Sequence, residues 1–104
     1  MTDFKKLKVW QKSFDYSFKI YTITESFPKK EVFGLSDQLR RCALSIPSNI
    51  AEGSKRSTDK DFKHFLHISL GSCAESQTQV MLAYKLKYIS EKDYVFLYGE
   101  SEEI

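Results

Sequence analysis

Turn-forming residues are scarce in this 104-residue chain, which has two prolines and four glycines. So little punctuation argues against a loop-rich or many-turned β architecture. The glycines (Gly34, Gly53, Gly71, Gly99) never come closer than 18 residues, so neither a P-loop nor a G-x-G-x-x-G dinucleotide fingerprint can form. Cysteine is limited to Cys42 and Cys73, 31 residues apart. That pattern suits reduced cytosolic thiols better than a secreted disulfide framework. No apolar run approaches the roughly 18 residues of a membrane span, and the opening Met-Thr-Asp-Phe-Lys-Lys leads into an amphipathic pattern, not a signal-peptide core. Neither charge dominates: 16 Lys and Arg against 14 Asp and Glu leave a net charge of +2, which alone does not announce a nucleic-acid binder. What is plentiful is apolar surface, at 41% hydrophobic and 14% aromatic residues, enough for one core without metal or disulfide. Residues 1–104 are expected to form one cytoplasmic domain.

The apolar spacing is helical almost throughout. Leu7, Trp10, Phe14, Phe18 and Tyr21 recur at steps of three and four, with Val9, Ile20 and Ile23 widening the stripe. Pro28 stops this helix and restrains Phe27 before it. A second helix carries Leu35, Leu39, Ala43, Ile46 and Ile50 and is expected to close near Gly53 through a left-handed residue. Ser57 or Thr58 can cap a third, from about Asp59 to Tyr88, whose repeat is Phe62, Phe65, Leu66, Ser69, Cys73, Ser76, Val80 and Ala83. Ser90 opens a fourth, with Tyr94, Leu97, Ser101 and Ile104 on one side. No strand alternation competes. The expectation is an all-α fold, an antiparallel up-and-down four-helix bundle with a short fourth helix. That helix, near 21 Å against about 45 Å for the third, is expected to leave Val80, Ala83, Tyr84 and Tyr88 uncovered unless another subunit hides them. The aromatics either serve such an interface or fill a thick core.

Beside the apolar stripe of the second helix runs a polar one: Gln38, Arg41, Ser45, Asn49 and Glu52. Pro47 within that helix deprives the Ala43 carbonyl of its donor, at about 3 kcal/mol or more if nothing offsets it; Ser45, Ser48 and Asn49 are candidates to satisfy the freed groups. The third helix offers His64, His67, Ser72, Glu75 and Gln79, and facing stripes would let Arg41 meet Glu75. A fold-specifying polar network explains this arrangement better than an active site does. Asp61-x-x-His64 with His67 resembles one element of a di-iron bundle, but such sites need that element twice with further inward carboxylates. Gly71-Ser72-Cys73 lies mid-helix without a nucleophile elbow and reads as a small-residue seam, with Cys42 and Cys73 as core thiols. The sequence therefore indicates no enzyme, no metal site and no cofactor.

Charge is unevenly distributed. Between residues 40 and 63 stand Arg40, Arg41, Lys55, Arg56, Lys60 and Lys63 against Glu52, Asp59 and Asp61. The last six residues hold Glu100, Glu102 and Glu103 and no base. A basic end of the bundle is either a solvated surface or a phosphate-binding patch, and a symmetric assembly would multiply weak contacts to one polyanion.

The run Phe27-Pro28-Lys29-Lys30-Glu31-Val32-Phe33-Gly34-Leu35-Ser36-Asp37-Gln38-Leu39-Arg40-Arg41, continued by Ser45-Ile46-Pro47-Ser48-Asn49-Ile50-Ala51-Glu52-Gly53, resembles the signature of the bacterial 23S ribosomal RNA intervening-sequence proteins. The likeness reaches upstream to Leu7-Lys8-Val9-Trp10 and downstream to Phe65-Leu66 and Gly71-Ser72, over about residues 4 to 90. Ser17 and Cys42 depart from the family pattern, standing where Leu-like and Ala-like residues are expected. The fourth helix also stops several turns early, which bears on any assembly that uses it. The resemblance implies a four-helix bundle with no attached catalytic activity. It extends to the accessory protein of diversity-generating retroelements, a five-subunit barrel that contacts nucleic acid and binds a reverse transcriptase. By that likeness Arg40, Arg41, Lys55, Arg56, Lys60 and Lys63 become candidates for RNA or DNA contact in a homo-oligomer (five subunits by the same likeness). The alternative is a protein-interaction scaffold with no nucleic-acid role.

Overall fold

In the computed structural model, which describes residues 3–104, four helices follow one another: α1 (Lys8–Thr24), α2 (Leu35–Ser54), α3 (Asp59–Lys85) and α4 (Glu91–Glu102). Single 3-10 turns occupy Phe4–Lys6 and Lys29–Glu31. Each helix packs on its neighbours in sequence, and α4 closes on α1. The result is an antiparallel up-and-down four-helix bundle measuring 44 × 25 × 18 Å. None of the described helices is long and apolar enough to cross a membrane.

The helix ends follow local chemistry. The Thr58 hydroxyl accepts from the Asp61 amide at 3.1 Å and Ser90 accepts from Asp93 at 3.1 Å, each satisfying a donor that the first turn leaves orphaned. Gly34 precedes α2 without a capping side chain; Glu31 supplies the acceptor instead. One of its carboxylate oxygens takes the Leu35 N–H at 3.0 Å and the other the Tyr88 hydroxyl at 2.8 Å. These bonds hold the Glu31 carboxyl below its ordinary range. Gly53 does not close α2 through a left-handed residue, as its sequence position suggested; no described glycine has positive φ. It lies inside the helix, where an added Cβ would stand 2.7 Å from the Phe65 Cβ, so its role is to let α2 and α3 approach. The left-handed position falls on Lys87 (φ 65°). Its N–H bonds to the Tyr84 carbonyl and that of Tyr88 to Ala83, both at 2.9 Å, the Schellman closure of α3.

The first helix turns a different face inward from the one its aromatics mark. Ser13, Tyr16, Ser17, Ile20, Ile23 and Thr24 are buried, whereas Phe14, Phe18 and Tyr21 are 48%, 71% and 40% exposed. The physical reason is distance. Small hydroxyl side chains let α1 settle closely on α2, and aromatics on that seam would hold the backbones apart. Tyr16 is the exception, fully buried with its hydroxyl 2.9 Å from the Ser76 Oγ; burial raises its pKa to about 12.

The Ala43 carbonyl orphaned by Pro47 is satisfied from outside the helix. The Ser17 hydroxyl lies 2.8 Å from it and 2.9 Å from the Ser13 carbonyl, and its single proton serves one or the other. Ser45 and Asn49 bond to carbonyls other than that of Ala43, those of Cys42 and Ser45 respectively. Ser69 repeats the device across the α2–α3 seam, donating to the Ile46 carbonyl at 2.9 Å. The short fourth helix covers part of what the sequence pattern left bare on α3, although Tyr84 stays 37% exposed. Val80 and Ala83 are buried, and the Tyr84 ring stacks on Tyr94 at 4.3 Å. Apolar side chains remain exposed along both halves of α3, Leu66 and Leu70 in the first and Met81 and Leu82 in the second.

Two stability experiments follow from these contacts. Ser17→Ala should cost about 1–3 kcal/mol by stranding a buried carbonyl. In a Pro47→Ala background, which returns a backbone donor, the same change should cost much less, a coupling that urea denaturation of the double-mutant cycle will show. Lys87→Gly should raise stability by about 1 kcal/mol, because the left-handed conformation penalises a Cβ, and thermal melting will register it.

Candidate nucleic-acid interface

The cations read from the sequence fall into two groups on opposite parts of α2. Lys55, Arg56, Lys60 and Lys63 gather at the α2–α3 hairpin, while Arg40 and Arg41 stand near the start of α2, at least about 21 Å away along the helix. At the hairpin, Lys55 places its ammonium 5.6 Å from the Phe4 ring centre. Arg56 bonds Glu52 at 2.8 Å and lies over the Phe65 ring at 4.8 Å. These contacts hold the two side chains against aromatic faces at the surface, at about 0.5–1 kcal/mol each. Lys60 and Lys63 are exposed and have no ion-pair partner among the described residues.

The Phe4–Lys55 contact exposes a contribution that reading along the chain missed. Because α1 runs antiparallel to α2, the turn before α1 lies beside the end of α2, bringing exposed Lys5, Lys6 and Lys8 to the same end. Seven cations from three separate stretches therefore share one end of the bundle, with Asp3, Glu52, Asp59 and Asp61 among them. The signal was present in the sequence as the lysines of Phe4-Lys5-Lys6-Leu7-Lys8, but only the hairpin packing joins them to the rest. The carboxyl end of α4 returns to the first turns of α1, where Glu103 pairs with Lys12 at 2.7 Å and Ile104 shares a cavity with Val9 and Ile50.

Arg40 is taken up by packing. Its Nε donates to the Thr24 hydroxyl at 2.7 Å and its Nη2 to the Tyr21 carbonyl at 3.2 Å, with the guanidinium 5.0 Å from the Tyr21 ring centre. A cation here also meets the negative end of the α1 dipole. Arg41 does not pair with Glu75. It turns back along its own helix to Asp37 at 3.0 Å, its side chain 80% exposed, because an i,i+4 carboxylate is within easier reach than one across the groove.

The two polar stripes do face each other. Gln38, Arg41 and Ser45 from α2 and Ser72, Glu75 and Gln79 from α3 line one cavity of about 320 Å³ with Cys42. Asn49 and Glu52 lie outside it, Asn49 donating to the Ser45 carbonyl at 2.7 Å and Glu52 held by Arg56. Burial, and then the nearby Glu75, push the Cys42 thiol up to about 12; burial also raises Cys73. Thiols so disfavoured as thiolates are poor nucleophiles. His64 and His67 are exposed, and no group of three or more metal-ligating side chains occurs among the described residues.

A sequence profile described as 23S rRNA-intervening sequence protein matches residues 5–104. The chain belongs to this family. A solved structure shares the family's architecture: a protein with unknown function from the S23 ribosomal protein family of Bacteroides thetaiotaomicron, 26% identical, with a TM-score of 0.81 over 91% of this chain and 89% of that one. None of the curated proteins compared matches the chain. Within the Ser45–Gly53 run, Ile46 and Ile50 are fully buried and Pro47 also lies in the core.

The exposure of Arg41 sets an expectation for stability. Arg41→Ala should change the unfolding free energy by no more than about 0.5 kcal/mol, the scale of an exposed i,i+4 pair, and chemical denaturation will measure it.

Proposed function

We propose that this protein is a non-catalytic, homo-oligomeric bundle whose basic end holds the phosphate backbone of a structured RNA or DNA. The observation that carries this reading is the convergence of Lys5, Lys6, Lys8, Lys55, Arg56, Lys60 and Lys63 on one end. Phe4 and Phe65 beneath two of them hold the Lys55 and Arg56 cations at the surface. Phosphate contacts need no catalytic group, and each one releases counterions, so several modest cations add up to useful affinity. Arg40 and Arg41 belong to this surface only if a long ligand spans the bundle.

Self-association is supported by the exposed aromatic stripe of α1. Phe14, Phe18 and Tyr21 with Leu44 of α2 and Ser17 line an almost wholly apolar groove of about 340 Å³. Exposed Phe96 of α4 is nearby, its ring 5.5 Å from the Lys19 ammonium. Contiguous exposed aromatics of this kind are a protein-contact surface. A ring of subunits, five by the likeness to retroelement accessory proteins, would repeat the basic end and make its weak contacts multivalent; a reverse transcriptase is the partner that likeness suggests. The same groove favours the second reading, a protein-interaction scaffold that never touches nucleic acid.

Salt separates the two. Affinity for an RNA hairpin and a DNA duplex should fall linearly with log salt, and replacing Lys55, Arg56, Lys60 and Lys63 by Gln should flatten the slope by about three. Undetectable affinity at low salt would leave the scaffold. Light scattering across a concentration series should report an oligomer, and a monomer would remove the multivalency on which affinity rests.

A further inference from the structure

At the end of the bundle opposite the lysines, the last turn of α1, the connection and the first turn of α2 surround an open cavity of about 460 Å³. Small-molecule sites have this volume. Its wall carries both signs of charge and an apolar patch, and three of its polar side chains keep bonding capacity that the fold does not use.

The first is Arg40. Two of its five N–H donors are spent on Thr24 and Tyr21. The half-buried guanidinium has no carboxylate partner among the described residues. Second, Ser36 is only 6% exposed and lines the same cavity. Its hydroxyl has no hydrogen-bond partner among the described residues, unlike those of Ser17, Ser69 and Ser76, and it opens to the cavity's solvent and is not sealed away. Third, Glu25 stands at the carboxyl-terminal cap of α1, the end of a helix where the dipole disfavours an anion. It lines the cavity with Arg40 but forms no ion pair with it. Opposite charges that share a cavity without touching leave room for a ligand bearing both. Lys29 adds a second cation at the rim, and Phe27, Pro28 and Val32 supply the apolar wall.

We infer that this cavity binds a free apolar α-amino acid, the carboxylate held by Arg40, Ser36 and Lys29, the ammonium by Glu25, and the side chain against Phe27, Pro28 and Val32. Each charged group of the ligand then meets its opposite, and the Ser36 hydroxyl exchanges solvent for an acceptor. A bare inorganic anion would leave Glu25 and the apolar wall unused. The carboxyl terminus of a peptide would lack the ammonium that Glu25 is placed to accept from.

Titration calorimetry of the intact chain, with amide chemical shifts to locate the contact, tests this with L-leucine, N-acetyl-L-leucine and inorganic phosphate. L-leucine should bind saturably and shift resonances between Thr24 and Arg40, with N-acetyl-L-leucine weaker by roughly tenfold. Glu25→Gln should erase that preference, because the exposed carboxylate acts only on the ammonium. Arg40→Gln should weaken L-leucine at least roughly tenfold. Should Arg40→Gln unfold the α1–α2 contact, Ser36→Ala, checked by circular dichroism, carries the same expectation of weaker binding. No saturable L-leucine binding up to about 10 mM overturns the proposal. So does equal affinity for N-acetyl-L-leucine, which would mark a peptide carboxyl terminus, or equal affinity for phosphate, which would mark a plain anion site. These variants leave the basic end intact, so nucleic-acid affinity stands or falls separately.

Discussion

A proline in the middle of a buried helix creates a debt that its own helix cannot settle. Pro47 has no N–H to give the Ala43 carbonyl, and Ala43 is fully buried, so water cannot reach it either. An unanswered buried carbonyl costs about 1–3 kcal/mol, a large share of the stability of a small domain. The hydroxyl of Ser17 answers it from α1, and in doing so ties one particular residue of α1 to one particular residue of α2. With Ser69 doing the like from α3 to Ile46, the central helix is pinned on both sides near its middle. A greasy seam alone tolerates sliding; a hydroxyl that must find one carbonyl does not.

Register fixed at the middle propagates to both ends. Toward one end it sets Phe4 beneath Lys55 and Phe65 beneath Arg56, so that lysines remote in sequence become neighbours. Toward the other it sets Arg40 on the Tyr21 carbonyl in the last turn of α1, and the connection borders an open cavity there. The two ends consequently differ in chemistry: a solvated cluster of cations suits a polyanion, and an open cavity of mixed charge with an apolar wall suits a small ligand. Along the flank, the same close seam between α1 and α2 turns Phe14, Phe18 and Tyr21 outward, where a partner can cover them.

Much of the bundle was readable in advance because it rests on local chemistry. Helical periodicity, Pro28 after Phe27, the hydroxyl caps at Thr58 and Ser90 and the apolar face of α2 each act within a few residues. The face of α1 was misread because the larger apolar side chains mark the outer side, whereas the inner side is chosen by how closely two backbones can approach. Of the candidate cations, the hairpin four could be grouped from sequence, but which neighbours Arg40 and Arg41 meet could not be read, since a helix of known length leaves open what each side chain faces.

By itself the amino-acid order determined four helices, their boundaries to within a few residues and their antiparallel succession, since propensity, capping and short connections operate over one or two turns. Tertiary structure decided which side of each helix is inside, which hydroxyl meets the carbonyl that Pro47 abandons, and which charges become neighbours. Those choices depend on contacts between residues tens of positions apart, where the distance between backbones, not the pattern along one of them, selects the winner.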